Sequence, residues 1–364
     1  MVNSTKPIVM LHFIMPGQLG GHNVTMERIL NSKLNQKYDF RILNQDRVAG
    51  GKFSISLIYY LKKKIEEVNP DIIHISGLQS AGFHAILAAR LAKCRRIVLT
   101  IHGFEGDALK LSYIKKWAFN NIIEPITLKM ADVVIGNSQY TVTRPMVKKY
   151  ARKHTVVIYN LPPNPYVPKK NEISVRKELG LKDDDILVVY VGRITYDKGL
   201  RILAEAIKHL SNYKEVKFLI VGDGDYKSTL MNLLSEEIKK GVVFMLGARN
   251  DVQRILHGCD IFVLPSFHET LSNVTLEASA EGLAIVVSNV GGLKEIIVNN
   301  YNGILIPPGN SFELSRAIKY FIDNPGERKR MGLNARKRIE EKFNSDSIIQ
   351  KLDQIYENLL KGKD

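Results

Sequence analysis

The chain has 364 residues and a formal net charge of +15, with 45% hydrophobic and 24% charged residues. This balance is that of a soluble globular protein and excludes fibrous and low-complexity chains. A chain of this length is expected to form two domains of about 100 to 200 residues each. No apolar run approaches the about 18 to 20 residues that a membrane-spanning helix needs. Two cysteines, Cys94 and Cys259, are too few for a disulfide framework and fit a reducing cytoplasm.

The positive charge is concentrated in the first half of the chain. Residues 1–160 contain 23 Lys and Arg against 10 Asp and Glu, a net of +13, whereas the remaining residues carry a net of +2. The excess lies in clusters at residues 62–64, 93–96, 115–116, 148–149 and 152–153. These clusters fit either an anionic membrane surface or a role in solubility alone. Nucleic acid is not expected as a partner, because no zinc-ligand spacing, ribonucleoprotein motif or helix-turn-helix signal accompanies them.

Apolar runs alternate with helical patterns, which predicts an α/β fold with doubly wound parallel sheets. The predicted strands of the first half lie near residues 8–14, 38–43, 71–76, 97–101, 132–136 and 155–159. Those of the second half lie near residues 186–191, 216–221, 242–246, 261–264, 284–287 and 304–306. Between them, the prolines of residues 160–168 forbid regular structure. We therefore place a domain boundary at residues 162–163.

Glycines and a histidine follow two strands of the first half. Gly20 and Gly21 come after the first strand and before a helix predicted from about Val24, and their backbone can approach a phosphate because they have no Cβ. His102 follows the strand at residues 98–101. Further on, residues 113–119 mix aromatic and basic side chains. They are interpreted either as a segment that lies in a membrane interface or as an ordinary helix with Trp117 in the core.

Two cations follow the first strand of the second half. Gly192 and Arg193 come directly after it, and Lys198 precedes a helix predicted from about Leu200 to Leu210. Arginine offers a planar fork of donors and lysine a mobile point charge, both beside a helix N-terminus that favours anions. This arrangement suits a diphosphate.

The next two strands also end in glycine. One is followed by residues 222–224, Gly-Asp-Gly, and the other by Gly247, Ala248 and Arg249. Strand ends of an open parallel sheet converge on one crevice, where ligands bind. The Asp-x-Asp spacings at residues 183–185 and 223–225 are interpreted as a solvated loop and a glycine turn of close backbone approach. Neither a metal nor a cofactor is expected.

Glu269 and Glu277, with seven residues between them, lie where a loop meets a helix. The strand at residues 261–264 stops at Pro265, and Ser272 or Asn273 can cap a helix with Glu277 in its second turn. Backbone amides around residues 270–272, Thr-Leu-Ser, are predicted to point at a phosphate, while the two carboxylates accept hydrogen bonds from hydroxyls. Sugar nucleotides have this pattern of hydroxyls and phosphates.

These motifs closely resemble those of glycosyltransferase family 4. The resemblance rests on GR-x4-KG at residues 192–199, VGDG at 221–224, LGAR at 246–249, the Glu269-x7-Glu277 pair and NVGGLKEII at 289–297. It covers most of residues 155–345, with weaker agreement at Gly20, Gly21 and His102. It implies the GT-B architecture, with two Rossmann-like domains facing a central cleft and a C-terminal helix, residues 343–364, that crosses back to the N-terminal domain.

The resemblance also implies roles for the site residues. Glu277 is expected to bind the ribose hydroxyls, and Glu269 to contact the donor sugar or support its phosphate. The main chain of residues 247–249 is expected to line the base. Arg193 and Lys198 would neutralise the leaving diphosphate, with Gly192, Gly222, Thr270, Leu271, Ser272 and Asn273 as further donor-binding residues.

The first domain is expected to bind the acceptor. His102 is expected to hydrogen-bond the donor sugar near the reacting carbon, while Glu105 or Asp107 of the same loop is a candidate for acceptor contact. No protein nucleophile is assigned. The basic charge of this domain then suggests an acceptor carried on an anionic surface, such as lipid-linked phosphate.

The resulting hypothesis is a retaining transferase. It would move a hexose or N-acetylhexosamine from a nucleotide diphosphate sugar, with UDP as the expected nucleotide, to a glycan or lipid-linked acceptor. Two alternatives stay open: a soluble transferase acting on a small molecule or protein, and a catalytically silent nucleotide-sugar binder recruited to membranes. The joint presence of Arg193, Lys198 and both glutamates argues against the silent binder. The expected location is the cytoplasm, with or without peripheral binding to the inner face of the cytoplasmic membrane.

Overall fold

The computed structural model describes residues 6–15, 20–46, 53–107, 109, 111–151 and 154–362. The chain folds as two compact units. The first unit comprises Met1–Leu161 together with Ser345–Asp364, and the second comprises Pro162–Asn344. The basic pair at residues 152–153 lies outside the described residues.

The first unit contains a sheet of 6 parallel strands in the order β2-β1-β3-β4-β5-β6. Its central strands are buried along most of their length because helices cover both faces of the sheet, and most of their side chains are apolar. The strands are β1 Ile8–Ile14, β2 Asp39–Gln45, β3 Ile72–Ser76, β4 Ile97–Ile101, β5 Val133–Gly136 and β6 His154–Val157.

Successive side chains of β1 point to opposite faces of the sheet and pack in two separate apolar cores. Met10 points to one face, where it joins the apolar cluster of Leu61, Ala85 and Leu128, while Leu11 points to the opposite face. The helices before the second unit are α1 Gly21–Leu30, α2 Ile55–Val68, α3 Ser80–Leu91, α4 Tyr113–Ala118, α5 Glu124–Met130, α6 Gln139–Thr143 and α7 Pro145–Tyr150. Helices α2, α3, α5 and α7 cover the Met10 face.

Helix α1 begins at Gly21, so the predicted start near Val24 is wrong. Gly20 has an extended backbone with φ −160° and serves as the N-cap, and the Val24 amide already donates to the Gly20 carbonyl at 3.1 Å. Thr25 Oγ1 donates to the Gly21 carbonyl at 2.9 Å, which supports the first turn. Glycine has a low helix propensity, and these hydrogen bonds outweigh it.

The segment at residues 113–119 forms α4 followed by a π-helix, Phe119–Ile123. Trp117 is 53% exposed, so the interpretation that places it in the core is wrong. Phe119 is buried instead. The π-helix precedes Pro125, which has no amide hydrogen to continue an α-helical ladder and whose ring crowds the preceding turn.

The second unit has a sheet of 6 parallel strands in the order β12-β11-β10-β7-β8-β9. The strands are β7 Ile186–Val191, β8 Val216–Val221, β9 Val243–Gly247, β10 Ile261–Leu264, β11 Ala284–Ser288 and β12 Ile304–Ile306. The order reverses between β7 and β10, so their neighbouring ends form the topological switch point, the place where such sheets bind ligands. The twelve predicted strands are thus confirmed, with ends that differ by no more than two residues.

Helices flank the second sheet because their apolar residues recur at helical spacing. In α9, for example, Leu200, Leu203, Ile207 and Leu210 are all buried. The helices are α8 Val175–Glu178, α9 Leu200–Leu210, α10 Lys227–Leu233, α11 Ser235–Lys239, α12 Val252–His257, α13 Asn273–Glu281, α14 Leu293–Ile296, α15 Ser311–Asp323 and α16 Pro325–Lys342.

The last helix, α17 Ser345–Leu360, packs in the first unit. Its Ile348 and Leu352 join the apolar core on the Leu11 face. The Tyr356 hydroxyl lies 2.6 Å from His74 Nδ1, while His74 Nε2 lies 2.6 Å from Thr100 Oγ1. The helix is therefore fixed by both apolar burial and a buried polar network. Among the described residues, no helix combines the length and the apolar character needed to cross a bilayer.

Candidate functional site

The loops that follow β7 and β10 are held together by their backbones. Gly199 has φ +70°, and a Cβ added there would lie 1.9 Å from the Pro265 carbonyl oxygen, so a side chain is sterically excluded. The Phe267 amide donates to the Asp197 carbonyl at 2.9 Å. The rings of Tyr196 and Phe267 stack with centroids 6.0 Å apart. These contacts fix the two loops at the switch point of the second sheet.

Lys198 and Glu269 form an ion pair across the two loops. Lys198 Nζ lies 2.7 Å from Glu269 Oε1, and the side chains are only 14% and 12% exposed. Ser266 Oγ donates to the same carboxylate oxygen at 3.0 Å. Because the pair is mostly buried, removal of one partner leaves an uncompensated charge, at a cost of about 3–5 kcal/mol. The structure thus brings together two of the predicted site residues.

Arg193 lies at the start of the same β7 loop. Its carbonyl accepts a hydrogen bond from the buried Tyr190 hydroxyl at 2.8 Å, while its side chain is exposed. Burial raises the pKa of Tyr190 well above its ordinary value, so the hydroxyl remains a neutral donor. The backbone at Arg193 is therefore anchored, and the guanidinium is accessible to an anion.

Asp197 and His268 are neighbours that the sequence motifs did not reveal. Asp197 Oδ2 lies 3.6 Å from His268 Nε2, which is an ion-pair distance but too long for a hydrogen bond. Burial acts to raise the pKa of the Asp197 carboxyl, but the nearby Lys198 and Arg193 cations help to bring it below its ordinary value. Asp197 therefore carries a negative charge beside the two predicted cations.

The glycines after β8 permit close backbone approach, as predicted. A Cβ added to Gly222 would lie 1.8 Å from the Gly192 carbonyl oxygen, and one added to Gly224 would lie 2.3 Å from the Ile194 carbonyl oxygen. The Asp223 carboxylate accepts from the Gly224 amide at 2.8 Å and pairs with Lys227 at 3.2 Å. The glycine turn is thus explained by packing against the β7 loop.

The end of β9 adjoins the same loops. The Gly222 amide donates to the Gly247 carbonyl at 2.7 Å, and Gly247 has φ +68°. Ala248 is exposed, whereas the Arg249 side chain lies 2.8 Å from Asp251 and 2.9 Å from Glu178. Because the guanidinium is held in this ion network, what Arg249 presents at the strand end is its main chain.

Helix α13 begins where the β10 loop ends. Ser272 rather than Asn273 is the N-cap, and its hydroxyl accepts from the Thr275 amide at 3.2 Å. Asn273 is the first helical residue, and Glu277 lies half-buried in the second turn. The two residues before the cap, Thr270 and Leu271, are buried. The predicted helix start and the place of Glu277 are confirmed.

In the first unit, Gly20, Gly21 and His102 lie at the carboxyl ends of β1 and β4. Gly21 is exposed and His102 is half-buried. Burial lowers the pKa of His102 to about 3, with a smaller contribution from His22, so its imidazole is neutral at neutral pH. His102 can therefore exchange hydrogen bonds with a ligand but does not supply a positive charge there.

The loop at residues 102–107, which follows β4, is held by two residues that the sequence did not single out. Arg144 donates to both carboxylate oxygens of Asp107, at 2.8 and 2.9 Å, and lies 4.3 Å from the centre of the Phe104 ring. The Glu105 amide donates to Glu124 Oε1 at 2.8 Å. Arg144 is 37 positions from Asp107 and Glu124 is 19 positions from Glu105, so no local motif reveals them.

Comparison with known proteins agrees with this fold and arrangement. Residues 171–338 match the family model described as glycosyl transferases group 1, and residues 32–161 match the model described as glycosyltransferase family 4. An uncharacterized glycosyltransferase of Methanocaldococcus jannaschii is 32% identical over 51% of this chain, and the chain spans about half, 48%, of that protein.

Two further similarities extend over most of the chain. The Escherichia coli UDP-Gal:alpha-D-GlcNAc-diphosphoundecaprenol alpha-1,3-galactosyltransferase is 28% identical over 86% of this chain and 80% of its own length. The crystal structure of Anabaena HepE in complex with UDP and glucose has a TM-score of 0.78 and 22% identity, covering 97% of this chain and 100% of that one.

The two family models identify the chain as a glycosyltransferase enzyme, and its two parallel-sheet units have the GT-B fold. The chain belongs to the group 1 glycosyltransferases, with a first unit that matches glycosyltransferase family 4. The predicted fold class, enzyme class and family are confirmed.

The contact between the β7 and β10 loops can be tested with two glycines of similar backbone conformation. Gly180 has φ +65° and nothing within 4 Å of an added Cβ, so Gly180→Ala should lose only about 1–2 kcal/mol for the left-handed conformation. We expect Gly199→Ala to lose roughly twice that or more, because its Cβ would collide with the Pro265 carbonyl. Urea denaturation gives both free energies of unfolding. Equal losses would mean that the loops are not in fixed contact.

Proposed function

We propose that this glycosyltransferase transfers a hexose or N-acetylhexosamine, with retention of configuration, from a UDP-sugar to a glycan or lipid-linked acceptor. The observation that carries the proposal is the grouping of Arg193, Lys198 and Glu269 at the switch point of the second sheet, next to the N-terminus of α13. Cations, a carboxylate and a helix N-terminus together suit a diphosphate that bears a sugar. UDP in the HepE complex and in the name of the Escherichia coli relative supports a uridine donor.

In this proposal the diphosphate is the leaving group and the cations stabilise its growing charge. Glu269 positions Lys198, so the ammonium group is already oriented before the donor binds. Arg193 closes on the phosphates from the exposed side of the loop. Glu269 retains one oxygen for a hydroxyl of the donor sugar, because Lys198 and Ser266 both contact Oε1.

The other predicted site residues are assigned to the ribose, the base, the phosphates and the sugar of the donor. Glu277 accepts from the ribose hydroxyls, and the main chain of residues 247–249 lines the base. Residues 270–273 and the glycines Gly192 and Gly222 contact the phosphates. On the first unit, Gly20 and Gly21 approach a phosphate, and neutral His102 hydrogen-bonds the donor sugar near the reacting carbon.

The transfer step needs no protein nucleophile in this proposal. The bond between the anomeric carbon and the phosphate oxygen breaks as the acceptor hydroxyl oxygen bonds to that carbon from the same face. The acceptor proton passes to the departing phosphate. The residues of the chain bind, orient and neutralise charge.

Removal of either cation should slow transfer more than it weakens donor binding. We expect Arg193→Ala and Lys198→Ala each to lower turnover by about 100-fold to 1000-fold, because charge on the leaving diphosphate is stabilised mainly in the transition state. Lys227→Ala is the matched control, since Lys227 is a cation of the neighbouring β8 loop that already pairs with Asp223. Release of UDP from a UDP-sugar gives turnover. Near-normal turnover in both site variants would refute the diphosphate assignment.

Substitution of the two glutamates should have different effects on UDP binding and on sugar transfer. Glu277→Gln should weaken binding of UDP itself, because the charge that accepts the ribose hydroxyls is lost. Glu269→Gln should largely spare UDP and impair sugar transfer, since its partner Lys198 loses an anchor but remains a cation. Titration calorimetry with UDP alone separates these effects from turnover. Equal losses of UDP affinity in the two variants would contradict the division of roles.

We also propose that the acceptor is presented on an anionic membrane, which the first unit contacts through the surface of α4. In that helix Tyr113 and Ile114 are 84% and 79% exposed and Trp117 is 53% exposed, next to Lys115 and Lys116. Aromatic and aliphatic side chains beside lysines suit the boundary between headgroups and acyl chains. The undecaprenyl diphosphate named in the Escherichia coli relative supports a lipid-linked acceptor.

Binding to vesicles tests this contact. We expect binding to phosphatidylglycerol vesicles that falls steeply with ionic strength, because exposed charges are screened within about 10 Å at 0.1 M salt. Reversal of Lys115 and Lys116 to Glu should weaken binding more than reversal of residues 62–64, where Lys62 pairs with Glu66 and Lys64 with Asp46. UDP release in solution should persist in both variants. Absence of binding at low salt would favour the soluble transferase.

A further inference from the structure

A buried carboxyl group in the first unit lies behind the loop at residues 102–107. Glu124 is 0% exposed, and its Oε1 accepts the Glu105 amide at 2.8 Å. Its other oxygen, Oε2, is buried and has no hydrogen-bond partner within the described residues. An ionised carboxylate in such a place lacks the partners that a buried charge requires.

The charged groups around Glu124 do not supply that compensation. Glu105 and Asp107 bring carboxylates from the loop, and Arg144 brings a guanidinium from the junction of α6 and α7. Arg144, however, is already committed to both oxygens of Asp107. Burial is the main cause that raises the pKa of Glu124 to about 8, and the Asp107 and Glu105 carboxylates also raise it, while the Glu105 amide hydrogen bond and the Arg144 charge act in the opposite direction.

The backbone around Glu124 directs the carboxyl group inward. The Glu124 amide donates to the Phe119 carbonyl, five residues earlier, and thereby closes the π-helix that precedes α5. A Cβ added to Gly106 would lie 2.1 Å from Asn120 Oδ1, so the loop packs directly on this π-helix. The wide turn, the loop and the carboxyl group are therefore one packed unit, and π-bulges of this kind are frequent at functional sites.

We propose that Glu124 is a positioning residue that holds the loop at residues 102–107 in place only while its carboxyl group is protonated. When the group ionises, an unpaired buried charge faces Glu105 and Asp107, and the loop that carries His102 shifts away. The effect on catalysis rests on the proposed role of His102. The effect of protonation on the position of the loop is independent of the proposed function.

The sign of the pH effect follows from the raised pKa. Between the ordinary glutamate value of 4.5 and about 8, the folded protein holds a proton on Glu124 that the unfolded chain has lost. The contribution of Glu124 to stability therefore falls as pH rises through this window and is constant above it. Glutamine in its place accepts the same Glu105 amide hydrogen but does not ionise.

The first experiment compares melting temperatures of the full-length wild type and Glu124→Gln from pH 5 to pH 9.5. The melting temperature of Glu124→Gln, relative to that of the wild type, should rise by several degrees as pH increases to about 8. Above that pH the difference should stay constant. Glu67→Gln, an exposed glutamate of α2, is the matched control and should show a constant difference. A constant difference for Glu124→Gln as well would overturn the proposal.

The second experiment reads the loop directly. Trp117 is the single tryptophan of the sequence and lies on α4, which contacts the Glu105–Asp107 turn. Its fluorescence should change with a midpoint near pH 8 in the wild type and not in Glu124→Gln. Identical titrations of the two proteins would refute the effect on loop position, even if Glu124 titrates.

The third experiment measures UDP release against pH. If only the protonated form is active, wild-type turnover should fall about 10-fold between pH 7 and pH 9, whereas Glu124→Gln should stay level over this range. Glu124→Ala, which loses the hydrogen bond, should be slow at every pH but bind UDP normally. Parallel profiles of the wild type and Glu124→Gln would refute the catalytic link. If no UDP-sugar is turned over at all, the proposed function fails, while the first two experiments still decide the proposal on Glu124.

Discussion

The backbone contact between the β7 and β10 loops is the constraint on which the candidate site depends. Gly199 must be a glycine, both for its positive φ and because the Pro265 carbonyl occupies the space of a side chain. Across the same two loops Lys198 lies 2.7 Å from Glu269, and the β8 glycines pack on the Gly192 and Ile194 carbonyls of the β7 loop. A site built this way is rigid before any ligand arrives, which lowers the reorganisation needed during a charge-separating reaction.

The first unit buries several polar side chains in its core. His74 is hydrogen-bonded to Tyr356 on one side and Thr100 on the other, whereas His12 contacts Gln45 through Nε2 at 3.0 Å and its Nδ1 has no partner within the described residues. Burial lowers the pKa of His74 to about 3 and that of His12 to about 4, so both are neutral partners in the core. Glu124 is kept neutral by the opposite shift, because burial raises the pKa of its carboxyl group to about 8.

The sequence predicted most of the fold because its signals are local. Buried parallel strands read as apolar runs, α9 has clean helical spacing, and Ser272 with Glu277 lies within one short helix. Residues that act through distant partners were not predicted. Arg144 meets Asp107 from 37 positions away and Glu124 meets Glu105 from 19, and neither spacing has a local signature. The sequence does not decide the exposure of Trp117 for a related reason, since an aromatic residue in a short helix fits core and surface equally well.

The membership of α17 in the first unit has a consequence for how the chain folds. The first unit is discontinuous, because the whole second unit, residues 162–344, is inserted between its sheet and its final helix. During synthesis the second unit can complete its own core from contiguous sequence, but the Leu11 face of the first sheet is only partly covered, by α1, until Ile348, Leu352 and Tyr356 arrive. Loop closure over so long a segment is slow. Until then the nascent first unit presents apolar surface and a histidine, His74, that has Thr100 but not Tyr356 as a partner, and exposed surface of this kind is what chaperones bind.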